Sequence, residues 1–268
     1  MESFLSILIP VLAVGGLSIL FGLLLAVASK IFHVHTDERI HEIRTHLPGA
    51  NCGGCGYPGC DALADALLTN DELLCRCSAL NEDQRNKIAE ILGSTPSHTE
   101  SKLAFVRCGG CNGNAKNQKK KYLYSGLADC TSASLLGGGA GACYYGCTGL
   151  GSCLKKCPFG ALSLKNGVAV VDRNKCTGCG SCIAACPKGL IVLLPKTSAY
   201  AVACASLDRG VVTKSACDAG CIGCRICEKC CPEGAIRVEN GLAVIDQGKC
   251  TGCGLCQNKC PRSSIVPV

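Results

Sequence analysis

The sequence predicts an α+β chain in which one apolar helix precedes several small cysteine-bearing modules. Three observations carry that expectation. Cysteine supplies 27 of 268 residues, beside 33 glycines, no tryptophan and only eleven aromatic side chains. An uncharged apolar stretch opens the chain, and one spacing of cysteines recurs through its second half at a constant offset. So few aromatics cannot fill one large conventional core, and small stapled modules are expected instead. The formal charge of +7 treats every thiol as neutral. Metal-bound thiolates would lower it, so charge alone is no argument for a nucleic-acid partner.

From Ser3 to Ser29 there are 27 residues without a charge, mostly Leu, Ile, Val, Ala and Phe. A helix crossing the hydrocarbon core needs about 20 such residues. Gly15, Gly16 and Gly22 are tolerated in such a helix. Only Glu2 and the terminus precede the stretch, whereas Lys30, Arg39 and Arg44 follow it. The positive side is therefore C-terminal, which predicts a single-pass anchor (residues 1–29) in the inner (plasma) membrane with the following domains cytoplasmic. Ala26-Val27-Ala28 imitates a cleavage site, so a signal peptide is the alternative. A basic n-region is missing, however, and the run exceeds the usual apolar length of about 7–15 residues. His33, His35 and His41 read as interfacial polar residues, with a metal site as the sharper alternative.

A small helical domain is expected over 30–95. Its loop reads Asn-Cys-Gly-Gly-Cys-Gly-Tyr-Pro-Gly-Cys, placing Cys52, Cys55 and Cys60 in a C-x2-C-x4-C array. Such spacing lets the backbone curl round one inorganic core, and the interleaved glycines permit the dihedrals this demands. A fourth thiolate must come from Cys75 or Cys77. Helices are predicted over Asp61–Leu68 and Asn81–Leu92, the second capped by Asn81 with Gln84 and stopped by Gly93. Ile88, Ile91 and Leu92 would face the cluster side. Four thiolates satisfy zinc too, so a structural zinc site is the alternative.

Further on, Cys176, Cys179, Cys182, Cys186 and Pro187 make a complete C-x2-C-x2-C-x3-C-P run, the signature of bacterial [4Fe–4S] ligation. It recurs at Cys221, Cys224, Cys227, Cys231 and Pro232, and again at Cys250, Cys253, Cys256, Cys260 and Pro261. An offset of 74 residues maps Cys157 onto Cys231, Cys176 onto Cys250 and Cys186 onto Cys260. It also maps Cys130 onto Cys204 and Cys143 onto Cys217. Asn166-Gly167 falls on Asn240-Gly241, each between strand-like runs, which signals a tight hairpin. Two tandem ferredoxin-like modules are expected, over 96–195 (with a linker and an extension) and 196–268.

In a two-cluster module the fourth cysteine of each run serves the other cluster. Cys221, Cys224 and Cys227 should therefore join Cys260; Cys250, Cys253 and Cys256 should join Cys231; Cys176, Cys179 and Cys182 should join Cys157. The remaining set, Cys147, Cys153 and Cys186, carries Leu150 where its second cysteine should be. Cys143 is the nearest fourth ligand, Cys108 and Cys130 are rivals, and a [3Fe–4S] cluster is the other outcome. Cys108, Cys130, Cys204 and Cys217 could together hold one more cluster, making six rather than five. Cys75, Cys111 and Cys230 read as structural thiols. Lys116, Lys119, Lys120 and Lys121 form a basic run, either a solvated loop or a docking patch for an acidic protein.

Thiolate-bound clusters exchange single electrons, so the pattern implies an electron carrier held at a membrane. An odd cysteine count and a long chain weigh against a disulfide scaffold. No Gly-rich dinucleotide fingerprint opens a helix after a strand, and no nucleophile–base set stands out, so no catalytic residue is assigned.

The apolar opening, the Cys52–Cys60 block with Cys77 and the C-terminal runs, in that order, resemble the B subunit of the Rnf ion-translocating electron-transport complex. The resemblance spans nearly the whole chain and matches the longer members of that family. It implies a C-x2-C-x4-C-x16-C first cluster, which selects Cys77 over Cys75. It implies a subunit of a translocase coupling electron transfer between ferredoxin and NAD to sodium or proton movement. This subunit would take electrons from soluble ferredoxin and pass them to multi-span and flavin- or NAD-binding partners. A membrane-tethered polyferredoxin of another reductase or hydrogenase, and a zinc-binding interaction protein, are the rival readings.

Overall fold

The computed structural model describes residues 2–31, 37–95, 100–110 and 119–268. His33, His35, Cys111 and Lys116 lie outside the described residues. The chain divides into two compact units, residues 1–41 and 42–268. In the first, α1 (Glu2–Ile31) runs two residues past the expected end of the apolar stretch. Its segment Val14–Ile31 has a mean hydropathy of 2.0 and is long and apolar enough to cross a membrane. Leu20, Phe21 and Leu24 are exposed along it, as suits a helix whose solvent is lipid.

The second unit begins with most of α2 (Glu38–His46), whose Arg44 pairs with Asp61 at the start of α3 (Cys60–Thr69). A 3-10 turn over Asp71–Arg76 leads to α4 (Glu82–Leu92). The predicted capping box is present. Asn81 Oδ1 accepts from the Gln84 N–H at 2.7 Å, and Gln84 Oε1 accepts from the Asn81 N–H at 3.1 Å. Gly93, at φ 68°, closes the helix in the left-handed region. Leu63, Leu67, Leu74 and Ile88 are buried as the shared apolar core, while Ile91 and Leu92 are only half-buried.

The first ferredoxin module pairs β1 (Lys102–Val106) antiparallel with β4 (Ile191–Pro195). Between them lie α5 (Cys130–Leu135), α6 (Ser152–Lys155), the β2–β3 hairpin (Leu162–Lys165, Val168–Val171) and α7 (Ser181–Ala184). The second module pairs β5 (Tyr200–Val202) with β8 (Ile265–Pro267). It encloses α8 (Gly210–Ala216), α9 (Ile226–Cys230), the β6–β7 hairpin (Ile236–Glu239, Leu242–Ile245) and α10 (Leu255–Asn258). Both hairpins turn on the predicted Asn-Gly pairs, with positive φ at Asn166, Gly167, Asn240 and Gly241, the conformation of a type I′ turn.

Sequence reasoning did not find the closing strands β1, β4, β5 and β8. Each is three to five residues long and mostly apolar, too short for its period to register. Their pairing corrects the repeat. Val106 lies opposite Ile191 and Val202 opposite Ile265, so Val106 is the counterpart of Val202 at an offset of 96, not 74. Two residues past each strand stand Cys108 and Cys204. Cys108, rather than Cys130, is therefore the structural partner of Cys204, and the first module carries 22 extra residues between Cys108 and Cys143, the stretch that contains Cys130.

Candidate metal centre

The loop ahead of α3 is drawn tight by Asn51, whose φ of 45° is positive and whose Oδ1 accepts from the Cys60 N–H at 2.8 Å. Cys52, Cys55, Cys60 and Cys77 line one small cavity there. Burial is the main influence raising the Cys77 thiol, with the charges of Cys55, Cys52 and Cys60 adding to it. Cys75 does not line this cavity.

In the second module Cys221, Cys224, Cys227 and Cys260 line one cavity, and Cys231, Cys250, Cys253 and Cys256 line another. These are the crossed sets expected from the runs. In the first module Cys182 is pushed up to about 12 by burial and by neighbouring Cys179 and Cys176. Backbone amides aim at the sulfur at three of the four proline corners. The N–H groups of Ala161, Leu190 and Ser264 lie 3.4 Å from the Sγ atoms of Cys157, Cys186 and Cys260. Such donors stabilise thiolates and tune a bound metal. The surplus Cys230 donates its thiol to the Cys227 carbonyl at 3.5 Å.

The imperfect set is joined by one of the rivals to Cys143. Cys147, Cys153 and Cys186 share their cavity with Cys130, the first residue of α5. Burial works to raise the Cys130 thiol, but hydrogen bonds from Ser152, Thr148 and the backbone of Ser152 and Leu150 outweigh it and hold the pKa below the ordinary range. Asp129 fixes this corner by accepting from Ser132 N–H at 2.9 Å and Ser152 Oγ at 2.9 Å. The 22 extra residues thus deliver a thiol where Leu150 cannot.

Cys143, the nearest cysteine in sequence, lies elsewhere. Its charge neighbours are Cys204 and Cys217 of the second module. Cys108, pushed up to about 12 by burial, has Cys147 and Cys217 as neighbours. The four cysteines 108, 143, 204 and 217 thus gather where the modules meet. A Cβ on Gly109 would stand 3.1 Å from the Ala203 carbonyl and 3.3 Å from Ala219 Cβ, so glycine lets the modules close. Lys188 Nζ secures the Cys143 loop through the carbonyls of Gly138, Tyr144 and Gly146 at 2.6, 2.7 and 2.8 Å. Its 74-residue counterpart Arg262 donates to the Cys217 carbonyl at 2.6 Å.

The sets also adjoin one another. Cys52 feels Cys179, Ser181 Oγ donates to the Cys52 carbonyl at 3.2 Å, and a Cβ on Gly54 would collide with the Cys179 carbonyl. Cys153 and Cys182 share one core, as do Cys204, Cys227 and Cys256 in the other. Cys108 reaches Cys147, and Cys221 feels Cys204. Among the described residues no three cysteine, histidine or acidic side chains gather tightly enough for one metal ion. Four thiolates at one site are the usual donor set of a [4Fe–4S] cluster.

Comparison with known proteins agrees with this donor chemistry. Residues 47–78 match a family described as a putative Fe–S cluster, and residues 142–191 and 220–264 each match a 4Fe–4S dicluster domain. Over 91% of the chain the sequence is 42% identical to the B subunit of the ion-translocating oxidoreductase complex of Methanosarcina acetivorans, covering 92% of that protein. The chain belongs to the B-subunit family of Rnf-type ion-translocating oxidoreductase complexes. Other members of the family agree. The B subunit of the Na+-translocating ferredoxin:NAD+ oxidoreductase of Acetobacterium woodii is 40% identical, over 91% of this chain and 73% of its own. That of the proton-translocating ferredoxin:NAD+ oxidoreductase of Clostridium ljungdahlii is 39% identical, over 92% of this chain and 86% of its own. As a member of the Rnf B-subunit family the chain carries iron–sulfur clusters, serves electron transport and belongs to a multi-subunit oxidoreductase translocase. Bound clusters supply one-electron exchange; the residues described above hold, space and tune them.

Proposed function

We propose that the chain is a membrane-anchored, six-site electron conduit that accepts electrons from reduced ferredoxin and hands them to partner subunits. Residues 1–29 act as the anchor with the later domains cytoplasmic, 30–95 form the first cluster domain, and 96–195 and 196–268 form the two modules. The observation that carries this reading is the single file of adjoining cysteine sets. Cys52, Cys55, Cys60 and Cys77 stand beside Cys176, Cys179 and Cys182, to which the crossed runs assign Cys157 as the fourth ligand. Next comes the set of Cys130, Cys147, Cys153 and Cys186, then Cys108, Cys143, Cys204 and Cys217 across the module boundary. Cys221, Cys224, Cys227 and Cys260 follow, and Cys231, Cys250, Cys253 and Cys256 end the file. Four thiolates at each stop make a [4Fe–4S] cluster the fitting occupant throughout, the Leu150 site included.

Ferredoxin is the proposed donor because the bacterial relatives above are ferredoxin:NAD+ oxidoreductase subunits. Flavin and nicotinamide chemistry falls to the partners, since the two modules offer thiolate cages rather than a dinucleotide fold. The test is anaerobic purification of the intact complex with iron counting on this subunit. About four irons per site are expected at six sites, with reduction of the chain by ferredoxin. Colourless, zinc-loaded protein would overturn the reading. Within the first domain, Cys77→Ala should lose its cluster while Cys75→Ala retains it; the reverse would reassign the ligand.

A further inference from the structure

Charge is unevenly divided along the chain. Residues 101–200 contain 13 lysines and arginines against two acidic residues, whereas 201–268 contain eight against six. One of the two acids, Asp129, is occupied in capping α5. The excess bears on the segment unique to the first module. There Lys119, Lys120 and Lys121 are all exposed, and Lys155 reaches over to the Ala128 carbonyl at 3.0 Å.

The same segment exposes apolar side chains that a monomer ordinarily covers. Leu123 is 89% exposed, Leu127 74% and Leu135 82%, and Leu136 and Tyr144 are exposed beside them. Single exposed leucines need no explanation, but several on one short stretch with a basic rim mark an interaction surface. The surface is held in shape by its own hydrogen bonds. Lys121 N–H donates to the Ala140 carbonyl at 2.7 Å, Ala142 N–H to the Lys119 carbonyl at 2.6 Å, and Tyr122 OH to the Leu136 carbonyl at 2.6 Å. It is built from turns and one short helix, not from the long amphipathic helix that lies on a lipid surface.

Its position gives it a purpose. α5 begins at Cys130, in the completed thiolate set, and ends at the exposed Leu135. At 1.5 Å per residue those ends are about 8 Å apart along the helix. We infer that this apolar, lysine-rimmed face is the docking site of a small acidic electron-carrier protein, set directly over the Cys130–Cys147–Cys153–Cys186 centre. Positive charge steers and orients an acidic partner, and the leucines exclude water at the contact. The inference rests on the reading that the chain receives electrons from ferredoxin and adds where that donor sits.

The test uses the intact detergent-solubilised complex with oxidised, acidic two-cluster ferredoxin as the probe, so that binding is read without turnover. Carbodiimide cross-linking should join ferredoxin carboxylates to Lys119, Lys120 or Lys155. A Lys119→Glu/Lys120→Glu double variant should weaken binding about tenfold and flatten its salt dependence. Leu123→Ser should weaken it with the salt dependence unchanged, and iron content should stay at the parent level in both. Cross-links confined to the second module, parent-like binding by both variants, or cross-links from these lysines to sibling subunits would each overturn the docking site. So would retention on anionic phosphatidylglycerol vesicles without ferredoxin cross-links. A parent complex that neither binds ferredoxin nor is reduced by it would instead sink the reading beneath.

Discussion

From α6 and α9 onward the two ferredoxin modules run in step. β2 and β6, α7 and α10, and β4 and β8 each begin 74 residues apart. Ahead of that they part company. The second module passes from β5 through a short turn into α8, with a full set of cysteines in its runs. The first has Leu150 where the second has Cys224, is 22 residues longer, and places Cys130 in the gap. A site of fixed geometry can thus be refilled from another part of the chain, because the cage constrains where sulfur lies and not which segment brings it.

The most damaging way to break that comparison is to remove the rival thiols one at a time. Cys130→Ala should lose the same paramagnetic signal as Cys153→Ala, and Cys143→Ala the same signal as Cys217→Ala, each with about four irons. Electron paramagnetic resonance of the dithionite-reduced protein reads this, and the exchanged pairing would restore Cys143 to the Leu150 site. A milder pair tests the shared scaffold. Gly149 and Gly223 both have positive φ, and a Cβ would meet the carbonyl of Gly167 in one and that of Gly241, at 2.7 Å, in the other. Alanine at either should destabilise by about 1–3 kcal/mol, seen as a lower temperature of cluster bleaching. Equal bleaching to the parent would mean that the hairpins yield freely.

The smallest effect is expected at the cationic clamps. Lys188→Gln forfeits three carbonyl contacts and Arg262→Gln one, so the first should cost more, within about 1–3 kcal/mol. Chelator-driven iron loss is the measurement, with Lys188→Arg recovering part of the difference. Faster loss in the Arg262 variant would reverse the assigned importance of the two loops.

Much of this was legible beforehand because cysteine spacing is local. The runs, the proline corners, the Asn-Gly hairpins and the Asn81–Gln84 box all lie within a few residues, and all reappear as features of the fold. Cys130 was legible only in part. The missing cysteine at Leu150 announced a gap, but nearness in sequence pointed to Cys143, and distance in space followed the loop held by Lys188. The counterpart of Cys204 was misjudged for the same reason. A rigid offset cannot see an insertion, whereas the register of β1 against β4 can. The exposed leucines gave no signal at all, since hydrophobicity in a sequence does not declare its solvent.

Gly109, pressed against Ala203 and Ala219, has a consequence for biogenesis. If Cys108 and Cys143 must meet Cys204 and Cys217 to hold one inorganic core, neither half can mature alone. A nascent chain arrested before residue 217 would present an incomplete socket, and the final stitch between halves would await release of nearly the entire polypeptide. That join would then act as a checkpoint on synthesis, withholding a continuous conductor from truncated products.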